Sequence, residues 1–292
     1  MPHPQDLEFH QPATLEEASR LLRQLGPGAI VYAGGTDVIP RMRLKKIAPR
    51  HLVNIKRIKG LDGISFDGHM LHIGALARFN DILGSPIIRQ HLPVLADVSG
   101  MIGSHQVRNL ATIGGNICNA APSADSAPIL LALDARLRIF SPQGARETPL
   151  ETFFRGPGSV HLSPGEIVTQ ILVNKPAPTI RAAYHKHEVR EALEIAITGV
   201  AVALDMTAEG VCRQARVAVS ACAPTPLRAR RAEATLEGSR LEPDVIEKAA
   251  ASAAGEISPI DDVRSCSQYR RDMTAVGLVR AIEKAMGAAQ HE

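Results

Sequence analysis

The sequence has no tryptophan, and all aromatic residues together make up 3% of its 292 positions. Proteins that hold single-stranded nucleic acid combine aromatic stacking platforms with a basic groove. Here the net charge is only +3, and the basic residues gather in two short clusters, Arg41–Lys46 and Arg228–Arg231. We therefore expect no nucleic-acid partner.

Long apolar runs are missing as well. No segment reaches the roughly 18 uninterrupted apolar residues of a membrane-spanning helix, and the first residues lack the basic and then apolar order of a secretory signal. Yet 45% of the residues are hydrophobic, which is enough for a sizeable core in two or three compact units. The sequence predicts no transmembrane segment and a cytoplasmic location.

Cysteine is scarce too. The chain has 4 cysteines, Cys118, Cys212, Cys222 and Cys266, and none of their spacings is typical of iron–sulfur or zinc ligands. We expect no iron–sulfur cluster, structural zinc or other metal site in this chain. A nucleophile motif such as G-x-S-x-G is also missing, which argues against hydrolysis.

Two pairs of neighbouring glycines stand out against these absences. One pair lies inside Ala33–Asp37 and the other inside Thr112–Asn116, each after an apolar run and before a small polar side chain. Glycine lets backbone N–H groups approach an anion closely and tolerates positive φ. Neither segment has the spacing of a Rossmann or P-loop motif. The two segments predict two halves of a cradle for the diphosphate of a nucleotide cofactor.

The hydrophobic periodicity predicts an α+β chain. A capping box at Thr14–Glu17 begins a helix that ends near Leu25, and Asp67-Gly68 predicts a hairpin turn between 63–66 and 69–73. Further helices are predicted at 76–83, 86–100, 243–254 and 273–286, and strands at 29–33, 51–55, 135–140, 166–173, 195–204 and 215–221. A small first lobe that ends near residue 57 and a linker at 175–178 suggest three units: 1–57, 58–176 and 177–292.

Several short motifs carry a resemblance to a known family. They are Ala33–Asp37, Gln106–Asn109, Thr112–Asn116, Ser123–Asp125, Phe153–Gly158, Ser163–Ile167, Lys186–Arg190 and Ala223–Leu227. Together they resemble the FAD-binding subunit of the molybdenum hydroxylases across nearly the whole chain, most closely that of bacterial xanthine dehydrogenases and also that of aerobic carbon monoxide dehydrogenases. The resemblance implies a two-lobed FAD-binding fold of the PCMH/VAO type, followed by a C-terminal antiparallel sheet backed by helices.

The resemblance also implies which residues bind FAD. They are Val31, Tyr32, Ala33, Gly34, Gly35, Thr36, Asp37, Val38, Ile102, Gly103, Thr112, Ile113, Gly114, Gly115, Asn116, Asp125, Ile167, Val168 and Lys186. Both glycine segments would hold the diphosphate and the neighbouring ribose and ribityl groups. Lys186 would lie near the pyrimidine end of the flavin, where a positive charge stabilises the anion formed on reduction.

The function implied is electron transfer within a heteromeric enzyme. A molybdopterin-binding large subunit would oxidise the substrate, a small subunit would carry [2Fe–2S] clusters, and FAD on this chain would pass electrons to NAD+ or another acceptor. The assembly would be a dimer of heterotrimers. A 4-hydroxybenzoyl-CoA reductase would carry extra cysteines near residue 120, where only Cys118 lies. Two alternatives stay open: a self-sufficient reductase like UDP-N-acetylenolpyruvylglucosamine reductase, and a flavin-free binding protein.

Overall fold

The computed structural model describes residues 7–287, and its first lobe is a small parallel sheet with two helices. These elements are β1 (Glu8–His10), α1 (Leu15–Leu25), β2 (Ala29–Tyr32), α2 (Val38–Arg43) and β3 (His51–Asn54). Strand β3 lies between β1 and β2. Thr14 caps α1 by accepting a hydrogen bond from the backbone N–H of Glu17, as the capping box predicted. Leucines on the apolar side of α1 pack on Val53.

The second lobe is an antiparallel sheet of order β4-β5-β10-β6-β7 with helices packed on it and a small β8–β9 ribbon. Its elements are β4 (Ile64–Phe66), β5 (Met70–Gly74), α3 (Phe79–Gly84), α4 (Pro86–His91), α5 (Pro93–Gly100), α6 (His105–Arg108), α7 (Ile113–Asn119), α8 (Ser126–Ala132), β6 (Arg136–Phe140), β7 (Arg146–Pro149), β8 (Phe154–Gly156), β9 (Ser159–Val160) and β10 (Ile167–Asn174). The Asp67 carboxylate accepts hydrogen bonds from two backbone N–H groups and closes the predicted β4–β5 hairpin.

The C-terminal domain is an antiparallel sheet of order β11-β12-β13-β14, backed by helices. It comprises β11 (Ile180–His187), β12 (Thr198–Met206), β13 (Cys212–Ser220), β14 (Leu227–Arg228), α9 (Arg230–Leu236), α10 (Pro243–Glu256) and α11 (Ser267–Met286). Along β12, Ala201 and Ala203 pack against the second lobe, whereas Val200, Val202 and Leu204 pack against the helices. Both faces of the sheet are therefore buried, and β12 shows a continuous apolar run instead of alternation.

The predicted fold class is confirmed: two N-terminal lobes precede a helix-backed antiparallel sheet. The single helix predicted at 86–100 is wrong, because Leu92 leaves the helical region and Pro93 begins a new helix. Proline lacks a backbone N–H and disfavours helical geometry in the residue before it. The prediction also missed β11 and α9. Within residues 7–287, no helix has the length and apolar character that a bilayer crossing requires.

Candidate cofactor site

A deep cleft of about 620 Å³ lies where the first lobe meets the second. Its walls come from the loop after β2, the segment after α5, the start of α7 and the start of β10. Most of the positions predicted to bind the cofactor line this cleft: Val31, Ala33, Gly34, Gly35, Thr36, Asp37, Val38, Ile102, Gly103, Thr112, Gly114, Gly115, Asn116, Asp125, Ile167 and Val168. Residues more than 130 positions apart in the sequence therefore face one space.

The first glycine segment, defined here as residues 33–38, presents a row of free backbone donors to the cleft. The N–H groups of Gly35, Thr36, Asp37 and Val38 find no acceptor among residues 7–287. The first backbone hydrogen bond of this turn is donated by the Ile39 N–H to the Gly35 carbonyl, at 3.0 Å. Successive N–H groups in a turn that includes a residue at positive φ form an anion-binding concavity. The segment is therefore built to receive a group rich in acceptor oxygens.

The second glycine segment, defined as residues 112–116, is built differently. The Ile113 N–H donates to the Ala77 carbonyl at 3.0 Å, and the Gly114 N–H donates to the Ala75 carbonyl at 2.9 Å. Thr112 caps helix α7 by accepting from the Gly115 N–H at 3.1 Å, and its carbonyl accepts from the Asn116 N–H at 2.9 Å. Most of this segment is therefore the first turn of a helix, and the N–H groups of residues 113–116 are already used within the protein.

The four glycines serve two purposes. A Cβ on Gly34 would overlap the carbonyl oxygen of Leu110, and a Cβ on Gly114 would lie 2.6 Å from Cβ and the carbonyl oxygen of Ala75. These two glycines permit close backbone packing around the cleft. Gly35 alone of the four has positive φ, at +74°. Of the two properties of glycine that the sequence offered, close approach is used at Gly34 and Gly114 and positive φ is used at Gly35.

Apolar side chains form another wall of the cleft. Ile102, Ile167 and Val168 are 8%, 3% and 4% exposed, so they belong to the hydrophobic cores as well as to the cleft. Gly103, next to Ile102, has φ of +54° and lies against Val107. This wall offers a rigid, desolvated surface of the kind that accepts a flat ring.

A buried charge cluster lies behind the cleft. The Lys186 side chain is 2% exposed, and its Nζ lies 3.3 Å from Oδ2 of Asp125 and 2.8 Å from Oε2 of Glu188. The same ammonium donates to the carbonyls of Met101 at 3.2 Å and Glu194 at 3.0 Å. Burial raises the pKa of Asp125, an effect that Lys186 and a hydrogen bond from Tyr184 oppose. Lys186 does not line the cleft and reaches it through these neighbours.

Two other predicted positions also lie off the wall. Ile113 is fully buried in the core of the second lobe. The Tyr32 ring packs edge-on against Phe9, with ring centroids 5.9 Å apart, and Lys56 Nζ lies 4.7 Å from its centroid. Both side chains support residues that do line the cleft. The Tyr32 ring lies against the Gly35 position and so supports the first glycine segment from behind.

The sequence reasoning missed several residues of the cleft, of which Arg41 is the most informative. Arg41 lines the cleft and donates to the Asn119 side chain at 3.3 Å, which links α2 to the end of α7. Arg41 lies four positions after Asp37, one helical turn along α2. Desolvation in the cleft raises the pKa of Asp37, and the charge of Arg41 partly opposes this shift. The sequence did contain a signal for Arg41, which lies one helical turn after the glycine segment. Its place in the basic cluster Arg41–Lys46 made an ordinary surface residue the simpler interpretation.

Comparisons with known proteins agree with this geometry. The model of the "FAD binding domain in molybdopterin dehydrogenase" matches residues 5–176, and that of the "CO dehydrogenase flavoprotein C-terminal domain" matches residues 182–285. The putative xanthine dehydrogenase FAD-binding subunit of Escherichia coli strain K12 is 35% identical over 284 residues, which are 96% of each chain.

The carbon monoxide dehydrogenase of Hydrogenophaga pseudoflava is similar in sequence and in structure. Its medium chain is 34% identical over 282 residues, which cover 97% of this chain and 98% of that one. A solved structure of that enzyme, lacking the Mo-pyranopterin moiety of the molybdenum cofactor, superposes with a TM-score of 0.95 over 99% of this chain and 100% of the matched chain. Both comparisons span both domains, so this chain belongs to the family of FAD-binding medium subunits of the molybdenum hydroxylases.

Proposed function

We propose that this chain is the electron-transfer subunit of a heteromeric molybdenum hydroxylase. Bound FAD would supply the redox chemistry, receiving electrons from [2Fe–2S] clusters of a small partner subunit and delivering them to NAD+ or another acceptor. A molybdopterin-binding large subunit would complete the enzyme, as a cytoplasmic dimer of heterotrimers. Family membership and coverage of the whole chain support this proposal over a self-sufficient reductase.

The residues of the cleft fit FAD. The free N–H groups of residues 35–38 would hold the diphosphate, with Arg41 as the cation of that region. The Asn116 side-chain oxygen accepts a hydrogen bond from Ser126 at 2.6 Å, which leaves its NH2 group available to the cleft. The apolar wall with Ile102 and Val168 would face the flavin ring. The row of free donors is the observation that carries the proposal.

Lys186 would position the walls of the cleft in addition to supplying a positive charge. Its ammonium joins Asp125 to the carbonyls of Met101 and Glu194, and these three groups belong to or adjoin separate walls of the cleft. We propose that Lys186 holds these walls together and offsets the Asp125 carboxylate. The electrostatic role inferred from the sequence would then reach the flavin through Asp125.

The first test is the visible spectrum of the purified full chain. We expect flavin absorption bands, present as isolated or restored by added FAD, and no iron–sulfur shoulder. A colourless protein that FAD cannot reconstitute would refute the proposal.

The organic substrate would bind to the molybdopterin-binding partner subunit, and we propose xanthine first. The carbon monoxide dehydrogenase alternative is equally supported by sequence, at 34% identity against 35%. Co-purified heteromeric enzyme should be assayed with purines, carbon monoxide and N-heterocycles, with NAD+ and with artificial dyes as acceptors. Purine-dependent NAD+ reduction would support the xanthine type, whereas turnover of carbon monoxide alone would exclude it.

Lys186 has its own test. In Lys186→Met, the carboxylates of Asp125 and Glu188 lose the ammonium that neutralises both of them, so we expect a lower flavin reduction potential and weaker FAD retention. Lys186→Arg should restore both in part, because it keeps the charge. An unshifted potential in the methionine variant with FAD still bound would remove the electrostatic part of the proposal, and unchanged FAD affinity would remove the positioning part.

A further inference from the structure

Three potential metal ligands meet at the edge of the first lobe, away from the cleft. Glu8 and His10 lie two residues apart on β1, and His51 is the β3 residue paired with Glu8 in the parallel register. Side chains two apart on a strand and their paired neighbour share one face of a sheet. The fold therefore brings together two imidazoles that are 41 positions apart and one carboxylate.

The distances among these groups match those of ligands around one small cation. Nε2 of His10 lies 3.3 Å from Nδ1 of His51, and Oε2 of Glu8 lies 3.5 Å and 3.4 Å from those two nitrogens. With zinc bond lengths of about 2.0–2.2 Å, tetrahedral ligand atoms lie about 3.3–3.6 Å from one another. All three measured separations fall in this range.

The orientation and exposure of the groups also suit a metal ion. The two imidazole centroids are 5.4 Å apart and the rings are tilted by 45°, so the rings meet by their nitrogen-bearing edges and not by their faces. The His10 and His51 side chains are 23% and 18% exposed, and that of Glu8 is 65% exposed. An ion can therefore enter from solvent and keep a water molecule as its fourth ligand.

We propose that Glu8, His10 and His51 form a site for a divalent transition-metal ion of the zinc class. Two imidazoles and one carboxylate suit Zn²⁺, whereas Mg²⁺ and Ca²⁺ prefer oxygen ligands alone. The expectation of no metal site rested on cysteine spacing and took no account of these residues. The ion would fasten β1, a strand of 3 residues, to β3.

The location gives the metal a structural consequence. β1 lies at one edge of the sheet, and Phe9, between the two β1 ligands, packs on Tyr32 at the end of β2. Tyr32 in turn lies against the position of Gly35. Fixing β1 would fix the support of the first glycine segment, so metal binding should raise the thermal stability of this lobe.

The experiment uses the full chain without an affinity tag, stripped of metal by a chelator. Titration with Zn²⁺ by calorimetry should give one ion per chain, and a subsequent melt should show a higher Tm than the stripped protein. The double variant His10→Ala/His51→Ala should bind Zn²⁺ at least about 10-fold more weakly, the loss caused even by removing an outer partner of a ligand. Its Tm should not respond to Zn²⁺, and Mg²⁺ should have no effect on either protein.

The matched control is His69→Ala/His161→Ala, which removes two exposed histidines elsewhere. It should bind Zn²⁺ like the unaltered chain, and the Glu8→Gln variant should bind more weakly than that chain. Circular dichroism establishes that each variant is folded. The proposal is overturned if the unaltered chain takes up no stoichiometric Zn²⁺, in which case the histidines form only a hydrogen bond. It is also overturned if folded His10→Ala/His51→Ala binds Zn²⁺ as tightly as the control.

Discussion

The two glycine segments look alike in sequence and differ in structure. The N–H groups of residues 35–38 have no acceptor among residues 7–287, whereas the N–H groups of residues 113–116 are all bonded within the protein. The first segment can donate to a ligand by its backbone, and the second can offer mainly side chains and a closely packed surface. The same dipeptide therefore serves ligand binding in one place and assembly of the cleft in the other.

The roles of the four glycines do not follow the division between the two segments. Gly34 lies against the Leu110 carbonyl, and Gly114 lies against Ala75, so each packs on a neighbouring part of the cleft wall. Gly35 adopts a backbone conformation that other residues disfavour, whereas Gly115 meets only the Thr112 hydroxyl, 2.8 Å from its virtual Cβ. Four substitutions test this comparison, from the largest expected effect to the smallest.

Gly34→Ala should have the largest effect. The added Cβ would overlap the backbone carbonyl of Leu110, so the backbone of one of the two segments must shift, and the free energy of unfolding should fall by about 3 kcal/mol. Soluble yield and Tm measure this loss. Gly28→Ala is the control, because its Cβ would be 3.9 Å from the nearest neighbours. Equal stability of the two variants would contradict the packing role.

Gly35→Ala should affect FAD binding most clearly. Left-handed backbone geometry costs alanine about 1–2 kcal/mol, and the Cβ would lie 2.7 Å from the Tyr32 ring. The turn that aims the free N–H groups would shift, and FAD affinity should fall at least about 10-fold. Fluorescence titration of the FAD-free protein with FAD measures this affinity. Gly115→Ala should lose less affinity, and the reverse order would break the comparison.

Thr112→Ala should affect stability more than FAD affinity. The variant removes the cap of α7, which costs about 1 kcal/mol. Denaturant unfolding of the FAD-free protein measures this loss of stability, and Thr112→Ser should regain most of it. A loss of FAD affinity as large as that of Gly35→Ala would show instead that the second segment binds the diphosphate as strongly as the first.

Asp37→Asn should have the smallest effect and the opposite sign. Partial desolvation by the cleft walls raises the pKa of Asp37 above its ordinary value, although the residue keeps an exposed surface and Arg41 opposes this shift, so the effect should be small. The folded state therefore holds the proton more tightly, and this stabilisation is lost as pH rises through the folded pKa. At pH 7 the asparagine variant should melt slightly above the unaltered chain, and the difference should shrink near pH 3. A constant difference would show that charge is not its cause.

Local patterns predicted much of the fold. The capping box at Thr14 and the Asp67-Gly68 turn depend on neighbours within a few residues, so the sequence contains their cause. Strand β11, which carries Lys186, was missed because its polar residues conceal a strand that is stabilised by pairing with β12. The predicted boundaries of the three units, after 57 and 176, stay a prediction that limited proteolysis can test.

The sequence by itself determined the family and the cofactor, because short motifs spread along the chain carry both. It also placed 16 of its 19 predicted positions on the cleft wall, although fewer than half of the residues that line the cleft were predicted. Only the tertiary structure decided which glycine segment has free donors, because an N–H group is free or bonded according to carbonyls such as those of Ala75 and Ala77, far away in sequence. It also decided that His10 and His51 meet, since strand register, which no local pattern encodes, sets their distance.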